Sequence, residues 1–181
     1  MKQITLHDKT FEIYIPQDKI CSVIGEMASK MNTELANEKP LFLCILNGSF
    51  MFAAELFKQI DLVEAEISFV KLASYEGDQT TGKVKQLIGL NENIEGRTVV
   101  ILEDIVDTGI TICDIQDQLD KLNPKEVKIA TMLLKPDALQ MEVNLDYVGL
   151  EIPNDFIVGY GLDYDGYGRN LTDIYSLINN N

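Results

Sequence analysis

At 181 residues and 46% hydrophobic content, the chain can build one domain with a sizeable core and at most a small appendage. A formal net charge of −14 excludes nucleic acid as a general partner, because a phosphate backbone would be repelled. No apolar run reaches membrane-spanning length and residues 1–6 lack the apolar core of a secretory leader, so no membrane partner and a cytoplasmic location are expected.

Residues 2–6 and 10–15 read as a hairpin joined by His7, Asp8 and Lys9. Pro16 and Asp18 suit a helix start, and Ile20, Val23, Ile24, Met27 and Met31 follow at helical spacing to about residue 37. The solid apolar run 41–46 is a central strand. It ends in Asn47-Gly48-Ser49, and a helix follows through residue 57. Residues 66–72 form the next strand, and a polar stretch, 74–82, reads equally as a solvated hairpin tip or a mobile lid. Further strands are expected over 84–89, 99–102, 127–134, 147–150 and 156–160, with a helix from the turn at Asp107 to about residue 122. Strands alternating with helices imply an α/β fold with a mostly parallel sheet covered on both faces. The hairpin and the aromatic tail do not fit that alternation. They suggest a small lobe from about 1–15 and 151–181 over a core of about 17–150, within a single domain.

Three cysteines, Cys21, Cys44 and Cys113, have no metal-ligand spacing and read as buried thiols. His7 is the one histidine, and it reads as a turn residue, which disfavours histidine-based catalysis. Phe50, Met51 and Phe52 suggest an apolar surface and with it a homodimer or homotetramer.

The informative stretch is 99–111, Val-Val-Ile-Leu-Glu-Asp-Ile-Val-Asp-Thr-Gly-Ile-Thr. A β-branched run ends in Glu103 and Asp104, and Asp107 opens a Thr-Gly turn into a helix. Ligands of α/β sheets bind at the carboxyl ends of strands. Neighbouring carboxylates repel unless a cation or a hydroxyl-rich ligand lies between them. The turn offers backbone amides, the hydroxyls of Thr108 and Thr111 and a helix N-terminus, all suited to a phosphate. Together these groups suggest a phosphorylated sugar. In the purely structural alternative Asp107 caps the helix and the acid pair is a solvated strand end whose side chains point to opposite faces. One cap needs one acid, however, not three. Lys135 ends an apolar strand on the same sheet edge, where it either snorkels to solvent or meets a ligand. Phe156 and Tyr160 are either core or ligand-stacking residues, and Arg169 could pair with Asp165 or Asp173.

These residues resemble the phosphoribosyl-pyrophosphate-binding signature of type I phosphoribosyltransferases. Ser74-Tyr75 with Asp78-Gln79-Thr80-Thr81-Gly82 is similar to the mobile loop of the hypoxanthine-guanine branch. Lys135, the segment 156–164 and Arg169 resemble that branch's purine pocket and pyrophosphate site. The resemblance implies the type I phosphoribosyltransferase fold, a mostly parallel twisted sheet flanked by helices with a small hood. It also implies transfer of 5-phosphoribosyl from phosphoribosyl pyrophosphate to a 6-oxopurine, with Mg2+ as cofactor. By that pattern Glu103 and Asp104 hold the ribose hydroxyls and metal, and residues Asp107, Thr108, Gly109, Ile110 and Thr111 cradle the 5′-phosphate. Asp107 is also the catalytic base. Asn47, Gly48, Ser74, Tyr75 and Arg169 serve the pyrophosphate. Lys135, Phe156 and Ile157 recognise the purine, and Asp163, beside them, binds a magnesium. The family often uses a non-proline cis peptide in the Asn47 loop, and several members carry lysine where this chain has Asn47. The alternatives are a xanthine-preferring transferase, a non-catalytic sensor of phosphoribosyl pyrophosphate and a phospho-acceptor signalling domain.

Overall fold

The computed structural model describes residues 3–75 and 84–178. Of the candidate lid, residues 76–82 lie outside them.

Strands β1 (Gln3–Leu6) and β2 (Lys9–Ile15) form the expected hairpin. Helix α1 (Gln17–Glu34) buries Ile20, Val23, Ile24, Met27, Ala28 and Met31. That is the one-sided stripe its spacing dictates. It stops at Glu34, short of residue 37, and Leu35 folds back with its amide bonded to the Met31 carbonyl. Strand β3 (Leu41–Leu46) is buried through Ile45. Each such side chain contributes about 1.5–3 kcal/mol by leaving water. Then come α2 (Phe50–Phe57), β4 (Glu66–Tyr75), β5 (Val84–Ile88), β6 (Thr98–Val106), α3 (Ile110–Asp120), β7 (Glu126–Leu134) and β8 (Tyr147–Glu151). The short strands β9 (Ile157–Val158) and β10 (Ile174–Leu177) close the chain. The last was not expected from a tail rich in Tyr, Asp and Gly. It exists because β2 and β9 offer it partners on both sides.

Six strands make one sheet in the order β5-β4-β3-β6-β7-β8, parallel except for β5. Phe42, Cys44, Val100 and Leu102 pack with α1 and α2 on one face, while Leu41, Leu43, Val99 and Ile101 pack with α3 on the other. From β3 the chain steps to β4, and from β6 it steps the opposite way to β7. The strand order therefore reverses between β3 and β6, where a crevice forms at the carboxyl ends. The other four strands make an antiparallel sheet in the order β1-β2-β10-β9, with a small core of Phe11, Val158 and Tyr175. This is the hood.

Three expectations need correction. Of the cysteines, only Cys44 is buried, with its thiol pushed up to about 11 by burial, while Cys113 is intermediate and Cys21 lies on the exposed side of α1. Of the residues read as an apolar surface, Phe52 is fully buried under α2 and only Phe50 is substantially exposed, at 40%. Strand β6 does not stop at residue 102. It runs through both acids to Val106, because β7 continues alongside and pairs with Glu103, Ile105 and Val106. Among the described residues, no helix is long and apolar enough to cross a membrane.

Candidate active site

Pairing between β3 and β6 ends at Cys44 and Leu102. Beyond it β3 turns away through a cis peptide between Leu46 and Asn47. Glu103 and Asp104 follow directly, where β6 has lost β3 as a neighbour and keeps only β7. The two acids do not simply alternate. Val100 and Leu102 face the α1–α2 side, yet Val106, which simple alternation would put with them, packs on the α3 side. The alternation resets across the acid pair, and the two carboxyls interact with one another. Burial, and next the charge of Asp104, holds the Glu103 carboxyl well above the usual carboxylate range; burial also raises Asp104. Glu103 Oε2 is buried without a hydrogen-bond partner among the described residues. A stable strand end has no use for such a pair.

Asp107 is not a helix cap. The residue preceding α3 is Gly109, at φ 81°, and no side chain caps the helix. The turn is instead anchored from below, with the Thr108 carbonyl accepting from the amides of Gln140 (3.0 Å) and Met141 (3.2 Å). Glu103, Asp104, Asp107, Thr108, Gly109 and Thr111 all line one cavity of about 170 Å³. Ile110 is exposed beside it at the start of α3.

Lys135 does not snorkel. It is 8% exposed, and its Nζ lies 3.8 Å from Asp107 Oδ2. Its amide bonds to the Val106 carbonyl at 2.9 Å, which locks the ends of β6 and β7 together. A cation and an acid far apart in sequence are thus adjacent at the turn. Phe156 is 42% exposed in the hood and packs on Phe11 and Tyr164, while Ile157 and Tyr160 are buried. Tyr160 is therefore core.

Arg169 pairs with neither Asp165 nor Asp173. Its Nη2 is 2.6 Å from Asp163 Oδ1, and its Nη1 donates to the Gly161 carbonyl at 2.7 Å. Asp163 also accepts the Gly166 amide at 2.7 Å. Both partners are displaced from the expected ones because the tail folds into tight turns that local sequence does not reveal. The Arg169 charge is nonetheless felt at Asp104, where it is the weakest of the influences on that carboxyl and acts to lower it. The contact between lobes depends on glycine. A Cβ on Gly48 would fall 1.5 Å from Asp104 Oδ2, and one on Gly161 would fall 1.9 Å from the Gly48 carbonyl. Backbone stacking excludes a side chain at Gly161, and one at Gly48 would displace the Asp104 carboxyl. Nothing in local spacing signals it. Ser74 and Tyr75 end β4, with their backbones opposite Lys85 and Val84.

No group of three or more His, Cys, Asp or Glu able to hold a metal occurs among the described residues. Magnesium does not require one: it keeps several waters and binds through one or two carboxylates plus substrate phosphates. An orphaned Glu103 oxygen beside Asp104 fits that requirement.

A switch-point crevice bearing paired carboxylates and an amide-lined turn defines an α/β protein that binds its ligand at the carboxyl edge of the sheet. Residues 13–165 match the phosphoribosyl transferase domain family, and the chain belongs to that family. It is 43% identical over 160 residues to the hypoxanthine-guanine phosphoribosyltransferase of Streptococcus agalactiae, covering 88% of each chain. It superposes on the hypoxanthine-guanine phosphoribosyltransferase of Bacillus anthracis with a TM-score of 0.81 and 32% identity, covering 93% of this chain and 99% of that one. A ternary substrates complex of the Trypanosoma cruzi hypoxanthine phosphoribosyltransferase matches at TM-score 0.84 and 29% identity, covering 92% of this chain and 95% of that one. The four-stranded hood is thus part of a fold shared with those enzymes.

Proposed function

We propose that this protein is a hypoxanthine-guanine phosphoribosyltransferase of purine salvage. It transfers the 5-phosphoribosyl group of phosphoribosyl pyrophosphate to hypoxanthine or guanine, releasing pyrophosphate. The observation that carries the purine assignment is the buried Lys135 beside Asp107, 3.8 Å apart at the same opening as the acid pair.

The ring nitrogen of the base attacks the anomeric carbon while the bond to pyrophosphate breaks, through an oxocarbenium-like state. Asp107, exposed at the mouth of the turn, accepts the proton lost from the imidazole edge as the new bond forms. Lys135 donates to the 6-oxo group. Adenine offers an amino group there, which cannot accept from the ammonium, and this selects against it. Phe156 stacks on the base, and the Ile157 backbone reads its pyrimidine edge. Thr108, Gly109, Ile110 and Thr111 hold the 5′-phosphate with amides and hydroxyls at the N-terminus of α3. Glu103 and Asp104 hold the ribose hydroxyls. With Asp163 they are the residues that would hold magnesium, which when bound neutralises charge on the leaving pyrophosphate. Arg169 and the Asn47-Gly48 backbone meet the pyrophosphate, and Ser74 and Tyr75 close over the site and exclude water. This division of labour explains how a chain of net charge −14 accepts a polyanion. The protein works as one domain in the cytoplasm, in keeping with its free thiols. It assembles as a homodimer or homotetramer, for which the exposed Phe50, Phe69 and Ile88 supply apolar surface.

A direct assay tests this reading. Purified protein, magnesium and phosphoribosyl pyrophosphate are mixed with hypoxanthine, guanine, xanthine or adenine in parallel. Nucleotide is expected from hypoxanthine and guanine and not from adenine, and none on omission of magnesium. Failure to form nucleotide from any base would sink the assignment.

A further inference from the structure

Building on the assignment of Phe156 as the base-stacking ring, we propose that the N-terminal hairpin turn positions that ring through Tyr164. Asp8 and Tyr164 are then positioning residues for the purine. Phe156 has two aromatic neighbours. Phe11, fully buried, lies behind it at 5.9 Å, and Tyr164 meets it edge-on at 5.5 Å and 87°. Edge-to-face pairs are directional, so the ring that Tyr164 presents sets the tilt Phe156 adopts.

Tyr164 is in turn gripped by three consecutive residues of the turn between β1 and β2. Its hydroxyl donates to Asp8 Oδ1 at 2.7 Å, the Lys9 ammonium lies 5.2 Å from its ring centroid, and the His7 ring packs against it at 5.3 Å. His7 is thus more than a turn residue. Its ring also meets Tyr167 at 4.9 Å. Tyr164 and Tyr167 close a tight turn through mutual backbone bonds of 2.9 and 3.1 Å, with Asp165 at φ 49° and Gly166 at φ 86°. The residue before that turn is Asp163, the partner of Arg169. Asp163 keeps its own bonds to Arg169 and to the Gly166 amide, so the anchor of the arginine does not depend on the Tyr164 ring.

Steady-state kinetics of Tyr164→Ala, Tyr164→Phe, Asp8→Ala and the Asp8→Ala/Tyr164→Phe pair test the inference. Tyr164→Ala should raise KM for hypoxanthine about tenfold while KM for phosphoribosyl pyrophosphate stays within about twofold. Tyr164→Phe keeps the ring and should restore most of that loss. Asp8→Ala and Tyr164→Phe break the same hydrogen bond, so the pair should be no worse than either alone. Unchanged KM for hypoxanthine in Tyr164→Ala overturns the inference, as do a parallel rise for both substrates or additive effects in the pair. A wild-type protein that forms no nucleotide overturns the functional reading and this inference with it; the other outcomes overturn this inference alone.

Discussion

At the amino end of the six-stranded sheet, Glu38 accepts from Lys125 at 2.6 Å and from Thr98 at 2.9 Å, and Arg97 reaches Glu66 at 3.0 Å. At the carboxyl end, Glu103 and Asp104 sit together in a crevice and one Glu103 oxygen has no partner among the described residues. The Lys125 hydrogen bond lowers the Glu38 carboxyl, whereas burial raises that of Glu103. The same residue type at opposite ends of one sheet is thus shifted in opposite directions. An end that only closes the fold satisfies its charges from within the chain. An end that leaves acids buried and unsatisfied awaits a ligand that completes them.

Substitutions at the two ends should therefore separate activity from stability. The largest effect is expected for Asp107→Asn. Turnover should fall by about a hundredfold or more while phosphoribosyl pyrophosphate binding stays largely intact. Rapid-mixing kinetics with a parallel binding titration would show it, and wild-type turnover would remove Asp107 from the role of base. Lys135→Ala should come next. Loss of a charged donor weakens use of oxopurines by about ten- to a hundredfold. Competition assays with hypoxanthine, guanine and adenine would reveal an equal loss for all bases, which would argue against recognition of the 6-oxo group.

Glu103→Gln should dissociate the two properties. The native carboxyl lies above its unfolded value, so the stability it contributes is full below the unfolded value and lost as pH rises through the native one. Removing the charge should raise the melting temperature of metal-free protein at pH 8, by about 2–4 °C for each 1 kcal/mol relieved. The gain should vanish near pH 4, about the ordinary glutamate value. Magnesium-dependent turnover should drop. Melts in chelator across that range, read beside activity, would expose a destabilised variant and so reverse the comparison. The smallest effect belongs to the other end. Arg97→Ala should lower stability by about 0.2–1 kcal/mol and leave both KM values unchanged. A kinetic defect there would break the contrast between the ends.

Much of this site is readable before folding because its signals are local. The β-branched run, the adjacent acids and the Asp-Thr-Gly turn lie within one stretch, and strand–helix alternation places that stretch at a sheet edge. What is not readable depends on residues distant in sequence. Acids are poor strand formers, so the run of β6 through Glu103 and Asp104 follows only from its pairing with β7. The expectation that the two acids face opposite ways assumed regular alternation, which resets between them. Arg169 finds Asp163 rather than Asp165 or Asp173 because the tail doubles back on itself. The approach of Gly48 to Asp104 needs β3 and β6 side by side, and the stacking of Gly161 on Gly48 exists only once hood and core have met.

The hood sheet unites strands far apart in sequence, β1 and β2 with β9 and β10. Strand β2 lies between β1 and β10, and Ile13 pairs with Tyr175. During synthesis, all six strands of the main sheet are present once the ribosome has passed Glu151, whereas the hairpin must wait for the last strand to emerge. Contacts this distant in sequence form late. A nascent or trimmed chain lacking β10 would keep the turn and acid pair proposed for the phosphorylated sugar but have no anchored hood to supply the proposed purine contacts. The ability to hold the activated sugar should thus arise before the ability to receive a base.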